Sequence, residues 1–521
     1  MDPDGFRRTR ARPRDAHPSA GAAFDDRSLP VNVRNEELDL HESAIASHHW
    51  TLSIGSERRP GRGNALPTLN PSTSRLLAEV ASASADDVDD AVSAAVLAAQ
   101  QWGERSPLDR ARLVRDLADV LESHAEELAW LDTLDAGLPL WMMRVDVATG
   151  LQRMRMFSDF ALGLTGQTIP ASAGGVHLTF PRPFGVVARI IPFNHPFMFA
   201  ASKLAAPLMA GNAVILKPSE QTPLSALRLG ELAQGVLPDG VLSVLHGGPP
   251  VGERMVRNEA VRRIAFTGSH IVGREIQRIG AESGVKHISL ELGGKNAMIV
   301  FDDADMEAAV AGAVKGMNFA FVGQSCGSTS RILLHRSVAE RFTELFVKAV
   351  DDLRVGAPWE SDVQVGPMVD AAARQRVEGF IERASAAGAV RLTADRQLPD
   401  DGGFVAPTVF RGVDPRSELG QEEVFGPVVS LFTFTEESEA IALANDVRYG
   451  LTASVWTNDL SRSFRMARAL EAGYIWINDT STHFPGVPFG GTKLSGAGRE
   501  ESIDELLSYT ETTAVNVVMA R

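Results

Sequence analysis

Val186-Val187-Ala188-Arg189-Ile190-Ile191 reads as a short β-rich run, and it is the first of five. The others are 213–216, 242–245, 264–266 and 287–290, with helix-like sequence between each pair. Parallel strands need a crossover connection, usually a helix, so this alternation predicts a parallel sheet with helices on both faces. Ligands of such sheets lie beyond the C-terminal ends of the strands. The turns there hold Asn194, Lys217, Gly268 and Glu291. A second αβ series runs from about Asp305 to Asn478 and predicts a second α/β domain.

Upstream, the pattern is helical. Ser84 is placed to cap a helix with Asp86 and Asp87 in its first turn. Val88, Ala91, Val92, Ala95, Ala99 and Trp102 supply its apolar stripe. Ser106-Pro107 starts a second helix, and a third runs through Leu128 and Leu131 to Gly137. Residues 1–48 carry five arginines between Arg7 and Arg14 and no apolar period, which predicts a disordered extension. Asp2, Asp4 and Asp15 argue against reading it as a transit peptide. The segments 174–180 and 513–518 are β-prone but have no obvious partner, as expected of edge strands that pair between subunits.

Downstream lies Gly323-Gln324-Ser325-Cys326-Gly327-Ser328-Thr329-Ser330, which holds the only cysteine of 521 residues. Small neighbours leave the sulfur accessible, but a free thiol is mostly protonated at neutral pH and needs a base to act as nucleophile. A lone cysteine is also commonly a small buried hydrophobe. The strand-end turns carry matching chemistry. Asn194 offers an amide donor for an oxyanion. Lys217 and Glu220 could grip a ribose, the carboxylate favouring NAD over NADP. Gly268-Ser269 precedes a helix whose free N–H groups suit a pyrophosphate, although the G-x-G-x-x-G spacing is missing. Glu291, set among apolar residues, should have a raised pKa suited to a general base. Glu423 and Phe425 could hold a second ribose and pack on a flat ring. Each of these turns, taken alone, is equally an ordinary loop.

Composition narrows the classes. The net charge of −15 disfavours nucleic acid and anionic membrane as partners. One cysteine cannot form an internal disulfide, and the most apolar stretch, 184–216, is interrupted by Arg189, Asn194 and Lys203. A cytoplasmic enzyme is the expectation, and no metal site is assigned.

LELGGKN with Glu291, GQSC with Cys326, EEVFGP with Glu423, and PFGGTKLSG at 488–496 stand in one order at one set of separations. Together they resemble the aldehyde dehydrogenase superfamily across roughly 49–521. The resemblance implies a Rossmann-like NAD-binding domain (49–163 and 184–293), a catalytic α/β domain (294–490) and a small β oligomerisation arm (164–183 and 500–521). A homodimer or homotetramer follows. It makes Cys326 the nucleophile, Glu291 the general base and Asn194 an oxyanion donor, with Lys203 and Glu500 relaying protons. Ile190, Pro192, Lys217, Ser219, Glu220, Gly268, Ser269, Leu292, Glu423 and Phe425 would contact NAD. His195, Ser202, Ser325, His483 and Phe484 map to the substrate tunnel, where small and polar groups suggest an aromatic or polar-substituted aldehyde. The implied reaction oxidises an aldehyde to a carboxylic acid through a cysteine thiohemiacetal and thioester. A CoA-acylating semialdehyde dehydrogenase and a non-catalytic protein retaining the fold are the alternatives.

Overall fold

The computed structural model describes residues 35–519. The five runs form the parallel centre of an eight-stranded sheet, ordered Leu242–Val244, Ala213–Lys217, Val186–Ile190, Val261–Thr267, His287–Glu291. Leu52–Ile54 and Glu57–Arg59 extend one edge, and Gly496–Ala497 closes the other, antiparallel to His287–Glu291. That last pairing sets Gly496 opposite Glu291 and carries the C-terminal segment to the sheet's functional end. A seven-stranded sheet forms the second unit, with Ala297–Val300, Arg331–His335, Val428–Phe434 and Thr452–Trp456 parallel at its centre. Buried aliphatic side chains fill the space between strands and helices in both units.

The capping box foreseen at Ser84 is present: Ser84 Oγ accepts from the Asp87 N–H, and Asp87 accepts from the Ser84 N–H at 2.8 Å. Helices Pro107–Glu122 and Ala125–Ala136 follow as expected. Helix Leu140–Asp159, not read from the sequence, packs along helix Pro196–Met209. Two buried carboxylates of Ala125–Ala136 then fix later helices: Asp132 accepts from the Phe197 N–H at 2.9 Å, and Asp135 from the Leu224 N–H at 3.0 Å. Both satisfy first-turn donors that a helix cannot satisfy itself.

Two expectations are corrected. Residues 35–48 are not disordered: Asn35–Ser47 is a helix that buries Leu38 and Ile45 and stacks His41 on Trp130, ring centroids 4.0 Å apart. Few apolar side chains make the contact, so no period announced it. The remainder of the extension, 1–34, lies outside the described residues. The β-prone segments 174–180 and 513–518 are also not partnerless, because strands Gly175–Pro183 and Thr510–Val518 pair with each other over their full length. The strand of the proposed arm starts at Thr510; Glu500, Glu501, Glu505 and Tyr509 before it are buried.

Because the N-terminal helix is docked through Leu38 and Ile45, replacing both by alanine should remove about 3 kcal/mol or more of packing. The thermal midpoint should fall by several degrees, whereas an undocked extension would leave it unmoved.

Candidate active site

Cys326 lies in the loop between the short 3-10 turn Phe319–Phe321 and strand Arg331–His335. The loop is held from behind by Asn296, whose Nδ2 donates to the Cys326 carbonyl at 2.7 Å and the Ser328 carbonyl at 3.0 Å. Gly323, at φ +68°, lies against the Gly426 carbonyl, and a side chain there would strike it. The GQSC and EEVFGP motifs therefore touch. Val322 beside it is left-handed at φ +54°, a costly conformation for a β-branched residue.

Glu291, at the end of the sheet strand His287–Glu291, is buried, and its Oε1 has no hydrogen-bond partner. Burial, reinforced by the Glu500 carboxylate, holds its pKa well above the usual range. The Cys326 thiol is pushed up as well, first by burial and then by Glu291 and Glu423. Lys203 is the nearby cation that opposes both shifts. Glu500 behaves oppositely. Burial pushes it up, yet the Lys203 ammonium and the Arg189 guanidinium, at 2.6 Å, bring it down to about 2.

These groups open on one cavity of about 870 Å³. Cys326, Ser325, Glu291, Lys203, Glu500, His195 and His483 all line it. Its other walls mix aliphatic, sulfur-bearing and polar side chains with the aromatic rings of Trp141, Phe199, Phe321, Trp476 and Phe489. His195 Nδ1 lies 2.7 Å from Asp146 Oδ2, and His483 Nδ1 lies 2.9 Å from Glu501 Oε2.

At the other strand ends, the residues expected to meet a dinucleotide have suitable chemistry. Lys217 is buried beside Ile190, with Glu220 Oε2 3.5 Å from its Nζ. Pro192 and Ser219 are half-buried in the flanking turns. Ser269 caps helix His270–Glu282 through the Val272 N–H, leaving the earlier first-turn N–H groups without helical partners. Gly268 donates to the Glu291 carbonyl at 3.0 Å, and Leu292 packs on Gly273 of that helix. Glu423 accepts from the Gly294 N–H at 3.0 Å, and a Cβ on Gly293 would overlap its carboxylate. Phe425 packs edge-on to Phe193. An ammonium, two carboxylates, a free helix terminus and an aromatic ring form a donor set that fits a dinucleotide.

The aldehyde dehydrogenase family model matches residues 59–515. The chain belongs to that family. It is 40% identical to the aldehyde dehydrogenase tropH of Talaromyces stipitatus over 493 residues, 92% of this chain and 94% of that one. An NAD+ complex of an aldehyde dehydrogenase from Bacillus cereus superposes with TM-score 0.89 at 37% identity, covering 92% of this chain and 98% of that one. The indole-3-acetaldehyde dehydrogenase AldA of P. syringae superposes with TM-score 0.91 at 35% identity, covering 94% and 100%.

In this aldehyde dehydrogenase, two positions expected in the tunnel differ from their reading. Ser202 does not line the cavity; it is buried with its hydroxyl toward Met198 Sδ, while Met198 and Phe199 form the wall. On a helix, each step of one residue turns the side chain by about 100°, and the neighbouring Lys203 is the one that reaches the cavity. Phe484 lies outside the cavity and is half exposed, Pro485 taking the wall position. Asn194 is buried beside His195 but is not itself among the lining residues. The sequence reading missed Asp146, Arg153, Asn296 and Glu501, and used Arg189 only as an interruption of an apolar run. Arg189 carried the available signal: a buried strand cannot hold a guanidinium without an anion.

Removing Arg189 should therefore be severe. Arg189→Met leaves Glu500 with a single cation, and unfolding should become easier by about 3 kcal/mol. Because Glu500 is more acidic when folded than unfolded, its ion pairs stabilise above about pH 4 and are lost as pH falls toward 2. Denaturation midpoints at pH 7 and pH 3 should differ less in Glu500→Gln than in the parent.

Proposed function

We propose that this dehydrogenase is non-acylating and NAD-dependent, oxidising an aromatic or polar-substituted aldehyde to its carboxylic acid. One observation carries the reading: Cys326 and an unpartnered, buried Glu291 face the same cavity. When bound, NAD+ supplies the nicotinamide that accepts hydride; Glu423, Phe425, Lys217 and Glu220 are the residues that would hold it. The likeness to NAD+ complexes at TM-score about 0.9 supports that choice.

Burial raises the proton affinity of both Glu291 and Cys326, so a proton leaving the sulfur has an acceptor in the same pocket. Thiolate Cys326 adds to the carbonyl carbon, and the Asn194 amide with the Cys326 N–H stabilises the developing alkoxide. Loss of hydride leaves a thioester on the sulfur. Glu291 then takes a proton from water, hydroxide attacks the thioester carbonyl, and the acid leaves as the thiol reforms. Lys203 and Glu500, already bonded to each other, offer a path for the proton away from Glu291. The aromatic walls favour a flat substrate. The paired strands 175–183 and 510–518 leave an outer edge for joining subunits in a homodimer or homotetramer.

Glu291 favours water over CoA as acyl acceptor, which sets this reading apart from the CoA-acylating one. Cys326→Ala should give no NADH from any aldehyde, and Asn194→Ala should lower kcat about a hundredfold. Glu291→Gln should retain a first-turnover burst of NADH while steady-state turnover drops about a hundredfold. A parent enzyme whose turnover depends on added CoA would overturn the proposal.

A further inference from the structure

We propose that His195 and Asp146 form a reader for a hydroxyl group on the aromatic ring of the substrate. The inference rests on the aldehyde-oxidising reading above and adds a specificity-determining pair to it. His195 stands at the N-terminus of helix Pro196–Met209 and lines the cavity that holds Cys326. Its Nδ1 is bonded to Asp146 Oδ2 at 2.7 Å, from helix Leu140–Asp159. A carboxylate only accepts, so the tautomer with its proton on Nδ1 fits this bond, and in that tautomer Nε2 is an acceptor. Nε2 has no partner among the described residues and is not sealed from the cavity. The ring is wedged between Phe321, centroids 4.1 Å apart, and Phe199, at 5.2 Å. Rotation to another partner is thereby restricted, and an acceptor is fixed between two aromatic faces.

Such an arrangement matches a ring whose edge carries an O–H. The aryl group lies against Phe199 and Phe321, and its hydroxyl donates to Nε2. A substrate carboxylate fits poorly, because Asp146, Glu500 and Glu501 all stand around the same cavity. A cationic substrate fits poorly too, since those carboxylates are already engaged by His195, Lys203, Arg189, Arg153 and His483. His483, with Nδ1 on Glu501, repeats the device at the more exposed side of the cavity. A neutral donor is the class that both imidazoles can satisfy.

The test compares kcat/KM for benzaldehyde, its ortho, meta and para hydroxylated forms, 4-formylbenzoate and hexanal, with NAD. At least one hydroxylated isomer should exceed benzaldehyde by about tenfold, the scale of one well-placed hydrogen bond. His195→Phe keeps a ring between Phe199 and Phe321 and should reduce that ratio to near one. Asp146→Asn, nearly isosteric, should lower the same ratio mainly through KM of the hydroxylated substrate, and it keeps the test open if His195→Phe does not fold. Hexanal far ahead of every benzaldehyde would refute the aromatic reading itself. Benzaldehydes oxidised with no hydroxyl preference, a preference unmoved in both variants, or 4-formylbenzoate as the best substrate would each refute the reader while leaving the dehydrogenase reading intact.

Discussion

The Glu500 carboxylate, bonded at once to Lys203 and Arg189, is the interaction on which the site depends. Its three members come from separate parts of the chain: a central sheet strand, the helix after it, and the segment beyond Gly496–Ala497. None of the three charges could stay buried alone, because desolvation would neutralise or expel it. Together they pull the C-terminal segment onto the coenzyme-type sheet, and the short antiparallel pairing opposite Glu291 completes the attachment. The resulting electrostatics differ sharply within a few residues. Glu500 is kept ionised by two cations, whereas burial and like charge raise the proton affinity of Glu291. A fixed charge thus stands next to a carboxyl group with a raised proton affinity.

The cysteine loop is positioned by a different means. Asn296 reaches from the end of the LELGGKN motif to two carbonyls of the loop, while its Oδ1 accepts from the Thr452 N–H at 3.1 Å. One side chain therefore links the cysteine loop to two strands of the second sheet. The left-handed Asn318 and Val322 flank the 3-10 turn that leads in, and this is where backbone strain is concentrated near the sulfur. Strain of that kind persists only where surrounding bonds hold the geometry, as do the Gly323 N–H to the Asn318 carbonyl at 3.0 Å and Asn318 Nδ2 to the Gly316 carbonyl at 3.1 Å.

Much of this was readable before any coordinates. The central strands, the Ser84 cap and the gathering of Cys326, Glu291, Lys203 and Glu500 follow from strand–helix alternation, capping chemistry and family motifs. What escaped was information carried by single long-range contacts. Helix Asn35–Ser47 docks through an imidazole stacked on an indole, which leaves no period in the sequence. Asp146 lies on a helix that the sequence pattern did not announce, and only folding sets it against His195. Ser202 was misplaced because family position fixes a residue on a helix but not the direction of its side chain. Arg189 is the instructive case: its presence in an apolar strand required a buried anion somewhere, but not which one.

The cavity's balance of charge limits what enters it. Carboxylates outnumber the cations that reach the sulfur, and their field raises the Cys326 thiol rather than lowering it. A resting thiol of that kind resists adventitious oxidation and alkylation, since the thiolate is the reactive form. Under the proposed mechanism, activation comes with occupancy, when substrate brings a carbonyl within reach of sulfur and Glu291 accepts the proton. Pairing Asp146 with His195 and Glu501 with Arg153 and His483 keeps the remaining acids from adding to that field without compensation. The same pairing that quiets the acids fixes the imidazoles, so the electrostatic control of the nucleophile and the shape of the substrate wall have one structural origin.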